Sequence, residues 1–489
     1  MKSFSKTLVI LLIFTLEIGT SSAKIHPGKH ASATFSDNQT DTLSQVFPAT
    51  GLPFRIVIET ANFQLPVGFH SGALGVYKGL WIFIAGRING LHGFDDADPS
   101  TNFPVDAQNT SIYVVNPAKG TVNFRSLKDP SSGLTQQQID TLSVTSPQHY
   151  QEDDTLFMSG GYGVDTASGT LGTKPVLTAL YLPGIVDWVT KPGNKNNSVA
   201  KHMRQIYNPI FQITGGEMFK SGNITQLVFG QNFEGYYTDG SNGEYSEQVR
   251  QFQIKNVGGQ LSVNILNAKP NNPDPNFRRR DLNIVPALLN NNNQLEYGLV
   301  AYAGVFTNAG GVWTVPVIIN GTSNPVMADP NLPGTFKQAM NQYVCATASL
   351  YSRKFTSMYH IFFGGISYGF FNNGVFSTDP EIPFINQVTT VQMDKNGNFT
   401  QYLMDSQYPV IASTGSNPGN TLLFGAGAYF IPNNIQQYPN HVISLDGIRN
   451  ATVIGYIVGG IQSTLANTNV ITDSAASPYI FKVTLVPTA

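Results

Sequence analysis

MYHIFFGGISYG, residues 358–369, is an apolar run rich in aromatic and β-branched residues that stops at a glycine pair and resumes with isoleucine. Variants recur at 80–88 (LWIFIAGRI), 155–163 (TLFMSGGYG), 226–233 (QLVFGQNF), 298–306 (GLVAYAGVF) and 453–463 (VIGYIVGGIQS), about 60 to 95 residues apart. Each run is too short to span a membrane and too β-branched for an amphipathic helix, so it reads as a buried strand. Glycine where such a strand meets a loop permits positive φ and lets another backbone come close. A small sheet repeated in this way predicts a radial array.

Paired glycines after a short apolar strand resemble the kelch repeat. Gly160-Gly161, Gly364-Gly365 and Gly459-Gly460 keep the doublet, Ala85-Gly86 and Ala303-Gly304 keep half of it, and Gly230 is followed by Gln231. The tyrosine and tryptophan that follow in a strict kelch unit are mostly absent. The resemblance, to a divergent kelch-type propeller of the galactose oxidase central-domain superfamily, covers most of 54–489. It implies an all-β, six-bladed kelch-type β-propeller, with room for a seventh blade within 365–459.

Ring closure is expected from the chain ends. Residues 54–60 (FRIVIET) alternate like a strand but have no local hairpin partner. The last glycine pair is followed by one more strand, 479–486, which leaves the final blade one strand short. An N-terminal strand at 54–60 therefore completes that blade from outside and fastens the ring.

Residues 1–23 read as a Sec-type signal peptide: Lys2 and Lys6, an apolar core over 8–16, and a small-residue site at Ser21-Ser22-Ala23. The polar stretch 24–50 is expected to be a flexible leader, and 51–489 to be the propeller, secreted or periplasmic. Only 12% of residues are charged and the net charge is −2, which gives no electrostatic footprint for nucleic acid. No later segment has the length of a membrane span. The single cysteine, Cys345, rules out an intrachain disulfide framework. Sequons at Asn109, Asn223, Asn320, Asn398 and Asn450 are glycosylation acceptors only if the chain meets the machinery.

In an antiparallel blade, the connection from second to third strand and the connection between blades share one face of the disc. The second-to-third connections here are the long ones, at 87–110, 162–176, 231–247, 366–385 and 461–478, so that face is expected to carry the site. The ligand-binding candidates on it are Arg87, Asn89 and His92 in the first loop, Glu234 and Tyr236 in the third, and Tyr368 in the fifth. His70, on an inner strand, and Arg280, before the fourth blade, complete the set. Aromatic rings beside amides and carboxylates suit a sugar, whose C–H face stacks while its hydroxyls take hydrogen bonds. Arg87 and Arg280 favour a carboxylate through forked hydrogen bonds. Arg278 and Arg279 read as a solvated loop paired with Asp274 and Asp281. His70 and His149 read as occupying similar places in neighbouring blades.

No metal or cofactor is expected. Asp95, Asp96 and Asp98 lack a glycine-spaced calcium loop, and 394–398 (DKNGN) reads as a hairpin turn. Kelch-type rings include a copper oxidase of galactose, but Cys345 has Tyr343 and Tyr351 nearby without a histidine pair, so a buried structural cysteine is expected. Two functions follow. The first is a non-catalytic exported module that binds a carbohydrate or a protein through its long-loop face. The second, suggested by the exported sialic acid mutarotase among kelch rings, is a sugar-modifying enzyme using Arg87, Arg280, Glu217, Glu234 and His70.

Overall fold

In all six copies of the repeat, both residues that end the second strand adopt positive φ: 62° and 84° at Ala85-Gly86, 62° and 83° at Gly160-Gly161, and 56° and 81° at Phe229-Gly230. Ala303-Gly304, Gly364-Gly365 and Gly459-Gly460 do the same. The double turn lets the second residue's N–H reach the neighbouring sheet. Gly86 N donates to Val144 O, Gly161 N to Ile213 O, Gly230 N to Arg279 O and Gly460 N to Phe69 O, at 2.7 to 3.0 Å. At Gly160 a Cβ would lie 2.0 Å from Ile213 O, so this position has no room for a side chain.

The computed structural model describes residues 43–488 apart from 239–240, 242 and 292–293, and the expected signal peptide lies outside the described residues. The chain folds as an all-β propeller, built from successive antiparallel sheets. Sheet I holds Ala73–Tyr77, Leu80–Ile84, Ser111–Asn116 and Thr121–Ser126, and sheet II holds Gln148–Glu152, Thr155–Ser159, Val176–Tyr181 and Met203–Tyr207. Sheet III holds Glu217–Ser221, Ile224–Val228, Val249–Val257 and Gln260–Ile265, and sheet IV holds Asn283–Asn291, Gln294–Tyr302, Val317–Asn320 and Val326–Met327. Sheet V is built on Ala346–Ser352, Ser357–Ile366, Phe384–Met393 and Phe399–Gln407; sheet VI is built on Leu423–Pro432, Thr452–Ser463 and Ile480–Pro487.

Phe54–Thr60 is the outer strand of sheet VI, antiparallel to Ile480–Pro487 from Phe54↔Pro487 to Thr60↔Phe481. Its alternation buries Phe54, Ile56 and Ile58 in a core shared by sheets V and VI, where Phe54 meets Tyr359 edge-on at 5.4 Å.

One expectation is corrected. Within the supposed flexible leader, Val46–Pro48 is a strand, parallel to Phe399–Gln407 on the edge of sheet V. Ahead of the first strand of sheet II, Thr135 and Gln138 form a capping box that starts the helix Gln136–Leu142. A second helix, Leu182–Thr190, follows the third strand of sheet II, and its Trp188 is fully buried against sheet I.

Two residues before the first strand of sheets I to V, and within the first strand of sheet VI, one residue also takes positive φ: Ser71, Ser146, Gly215, Asp281, Val344 and Gly427. Their peptide groups join head to tail around the axis. Ser146 N donates to Ser71 O (2.7 Å), Gly215 N to Ser146 O (3.3 Å) and Asp281 N to Gly215 O (2.8 Å). Ser71 N in turn donates to Gly427 O (3.2 Å), which links sheet I to sheet VI, and Gly427 N donates to Val344 O.

Candidate functional site

Above this collar of peptides lies a cavity of about 330 Å³, on the face where the second strands end. That volume suits a small molecule. Each sheet contributes by the same rule: the positive-φ residue at its first strand with the residue before it, and the residue after its positive-φ doublet. His70, Ser71 and Arg87 come from sheet I, and Thr145, Ser146 and Tyr162 from sheet II. Thr214, Gly215 and Gln231 come from sheet III, and Arg280, Asp281 and Val305 from sheet IV. Sheets V and VI supply the more apolar side, through Tyr343, Val344, Ile366, Ala426, Gly427 and Ile461, with Glu381, Asn467 and Thr468 added by their second-to-third connections.

Two arginines are built into the wall. Arg280 is 5% exposed; its Nη1 donates to Gln231 Oε1 (2.9 Å) and Tyr245 Oη (3.0 Å), and its Nε lies 3.4 Å from Asp281 Oδ2. The guanidinium also faces the Phe306 ring at 5.1 Å. Arg87 donates from Nε to Asn89 Oδ1 (3.0 Å) and from Nη2 to Pro104 O (2.8 Å), and lies over the Phe103 ring at 5.1 Å. Among the described residues, Arg87 Nη1 and Arg280 Nη2 make no hydrogen bond, and both arginines line the cavity. Burial lowers Arg87 to about 10, which still leaves it charged near neutrality.

His92 lines the same cavity, within reach of the charge of both arginines. Its ring stacks on Phe103 (4.8 Å, 22°) and meets Tyr237 at 4.6 Å, while its Nδ1 lies 2.9 Å from Gly93 O. Burial, then the charges of Arg280 and Arg87, bring His92 down to about 4, so the imidazole is neutral at pH 7. His70 is neutral for the same reasons, lowered to about 3 by burial and by Arg87. Its Nε2 lies 3.0 Å from Asn89 O and its Nδ1 3.0 Å from Ser71 Oγ.

Four candidates therefore line the cavity: His70, Arg87, His92 and Arg280. Asn89 does not line it but orients both His70 and Arg87. Glu234, Tyr236 and Tyr368 do not line it. Glu234 accepts from Gln212 Nε2 (2.7 Å), Tyr236 is 50% exposed, and the Tyr368 backbone N–H donates to Asn341 Oδ1 (3.0 Å). Residues that went unrecognised include Tyr162, Phe103 and Tyr245; Tyr343, weighed only for copper, lines the cavity with a hydroxyl that makes no hydrogen bond among the described residues.

The reading of Arg278 and Arg279 as a solvated loop is overturned for Arg279, which is fully buried and donates to Ala303 O (3.3 Å) and Val315 O (2.8 Å) over the Trp313 ring. Nor do His70 and His149 match. Ala73 and Gln148 hold equivalent places, opposite the residue before each doublet, which puts His149 level with Leu74. Glu217 starts its sheet's inner strand; part of its surface stays open, yet protein surrounds the carboxyl and burial pushes it up to about 8. Cys345 is buried, and Asp394 Oδ1 accepts from Asn396 N (2.8 Å) and Asn398 N (2.9 Å) in a hairpin turn. No group of metal-ligating side chains occurs among the described residues.

No family model and no curated protein sequence matches the chain. Among solved structures, one described as the structure of YjhT aligns over 86% of this chain and 98% of that chain, at 12% identity and a TM-score of 0.43. The fold assignment above rests on the sheets themselves.

Proposed function

We propose that this chain is an exported kelch-type propeller that acts as a binding module, taking a small carbohydrate with an acidic group into the cavity on its long-loop face. The observation that carries this reading is the pair of buried arginines, each with an Nη group left over, lining the cavity with a neutral histidine and among aromatic rings. Charged hydrogen bonds to a carboxylate are the strong kind, and here water competes little for them. The rings offer stacking to a sugar's C–H face. We infer six blades, sheets I to VI, with Phe54–Thr60 as the strand that closes the ring; the pairing of that strand with Ile480–Pro487 and the bond from Ser71 N to Gly427 O support this. Export rests on the reading of residues 1–23.

A protein partner docked on the same face is the other form of this reading. The second reading, a sugar-modifying enzyme of the mutarotase type, draws on Glu217, which burial keeps largely protonated at pH 7 as a general acid would be. Titration of the purified protein against neutral and acidic monosaccharides, with Arg87→Ala and Arg280→Ala variants, tests both. Saturable binding of the acidic sugars that these changes weaken, without turnover, supports the module. Turnover lost in the variants supports the enzyme, and no binding of either sugar class sinks the small-ligand reading.

A further inference from the structure

The sequons among the described residues are sorted by face. Asn223 sits at the turn between Glu217–Ser221 and Ile224–Val228, and Asn398 at the turn between Phe384–Met393 and Phe399–Gln407. Asn450 lies between Leu423–Pro432 and Thr452–Ser463, and Asn196, in a further Asn-Asn-Ser sequon, lies between Val176–Tyr181 and Met203–Tyr207. All four are exposed, Asn398 with its Nδ2 donating to Asp394 Oδ2 (3.0 Å) at the surface of its turn. First-to-second and third-to-fourth connections lie at the opposite end of the strands from the cavity, so these four asparagines share the far face. Asn320, which ends Val317–Asn320, is at that end too, half-buried, with Nδ2 donating to Glu296 Oε2 (2.8 Å). The described sequon at the cavity end, Asn109, is 1% exposed, and its Nδ2 donates to Ala85 O (2.8 Å) at the first doublet.

We propose that the far face is the carbohydrate-modified face of this protein, with N-linked glycans on Asn196, Asn223, Asn398 and Asn450, and that Asn109 stays unmodified. A glycan needs an acceptor amide that points to solvent and a folded state that tolerates bulk there. The exposed turns meet both conditions on one side only. At Asn109 the amide belongs to the backbone of the repeat, and a glycan would remove a buried hydrogen bond next to the positive-φ doublet. The arrangement leaves the cavity face as the one open to ligands and partners. The proposal rests on the export reading.

Two forms of the full chain separate the proposal from that reading: one with its own leader, one with a leader of the host, both produced in a secreting eukaryotic cell. Peptides released by PNGase F in heavy-oxygen water report each occupied asparagine by its mass. Modification at Asn196, Asn223, Asn398 and Asn450, with Asn109 clean, is expected. If only the host-leader chain is secreted and carries that pattern, the leader assignment fails and the glycan face stands. Secreted host-leader protein with those four sites bare, or with Asn109 occupied, overturns the proposal. A variant with all four changed to Gln should lose the PNGase-sensitive gel shift and bind any cavity ligand unchanged, whereas Asn109→Gln should lower the melting temperature; equal melting temperatures for Asn109→Gln and the parent protein would also count against it.

Discussion

If Phe54–Thr60 fastens the ring, removing it should cost most of the stability. Phe54, Ile56 and Ile58 are 1%, 1% and 8% exposed, and they contact the core that sheets V and VI share. Burying such side chains stabilises by about 1.5 to 3 kcal/mol each, so the three together contribute roughly 5 to 9 kcal/mol. Domain stabilities are only about 5 to 15 kcal/mol. A chain starting at residue 61 also loses Val46–Pro48 and leaves Ile480–Pro487 with an unpaired edge. It is expected to be unfolded or aggregated where the chain starting at residue 43 folds. A gentler pair separates the clasp from general damage. Ile56→Ala should cost about 2 to 5 kcal/mol, while exposed Arg55→Ala should stay within about 0.5 kcal/mol. Guanidinium midpoints read by circular dichroism and tryptophan fluorescence measure both. An unchanged midpoint for the chain starting at residue 61, or equal effects of Ile56→Ala and Arg55→Ala, would refute the clasp.

Gly160→Ala should lose far more stability than Gly79→Ala: both have positive φ, worth about 1 to 2 kcal/mol, but only Gly160 faces a carbonyl, 2.0 Å from an added Cβ, whereas Gly79 has open space. Equal melting temperatures would count against the close approach of sheets II and III. Arg87→Ala and Arg280→Ala should each weaken an acidic sugar by about 1.5 to 3 kcal/mol, the worth of a hydrogen bond to a charged group, and leave a neutral one nearly unaffected in calorimetric titrations. The Glu217 carboxyl is raised to about 8 in the folded chain from an ordinary 4.5, so its contribution to stability is fully present below pH 4.5 and is lost as pH rises through 8. Glu217→Gln should therefore melt at a higher temperature than the parent protein at pH 8.5, with the difference gone at pH 4; the same difference at both pH values would show that the group does not titrate in this way.

The repeat was legible because its signal is local. An apolar run that ends in glycine is imposed by one strand end and one tight approach, and Ala85-Gly86 and Phe229-Gly230 show that only the second place of the doublet demands glycine in every copy. The alternation of Phe54, Ile56 and Ile58 likewise stated which face is buried. The site was legible by half. Arg87 follows a doublet and Arg280 precedes a first strand, and every residue at those offsets lines the cavity. Counting from the doublet would have found Tyr162 and Gln231, and counting back from the first strand Tyr343. Loop composition instead selected Glu234 and Tyr236, and in that loop composition misleads. The ribbon pairing Gln231–Asn232 with Glu244–Tyr245 brings Tyr245 back beneath Arg280, while Tyr236, in the connection beyond it, remains half-exposed. Which residue of a long loop turns inward depends on pairings that no local pattern encodes.

The offsets also give the cavity a direction. Sheets I to IV place hydroxyls, amides, neutral imidazole and two guanidiniums on one arc, whereas sheets V and VI place Val344, Ile366, Ala426 and Ile461 on the other. A uniformly polar solute would find few partners at Val344, Ile366, Ala426 and Ile461, and a uniformly apolar one would strand the spare guanidinium donors, which costs more than the contacts return. The complement of such a wall is a molecule with a charged edge and a C–H face, held in one orientation. Beneath the cavity, peptide hydrogen bonds run in series from sheet V through VI and I to IV, so the two arcs are tied to one another where sheet VI meets sheet I. Selectivity then resides in the side chains at these offsets, and the backbone keeps them at fixed separations.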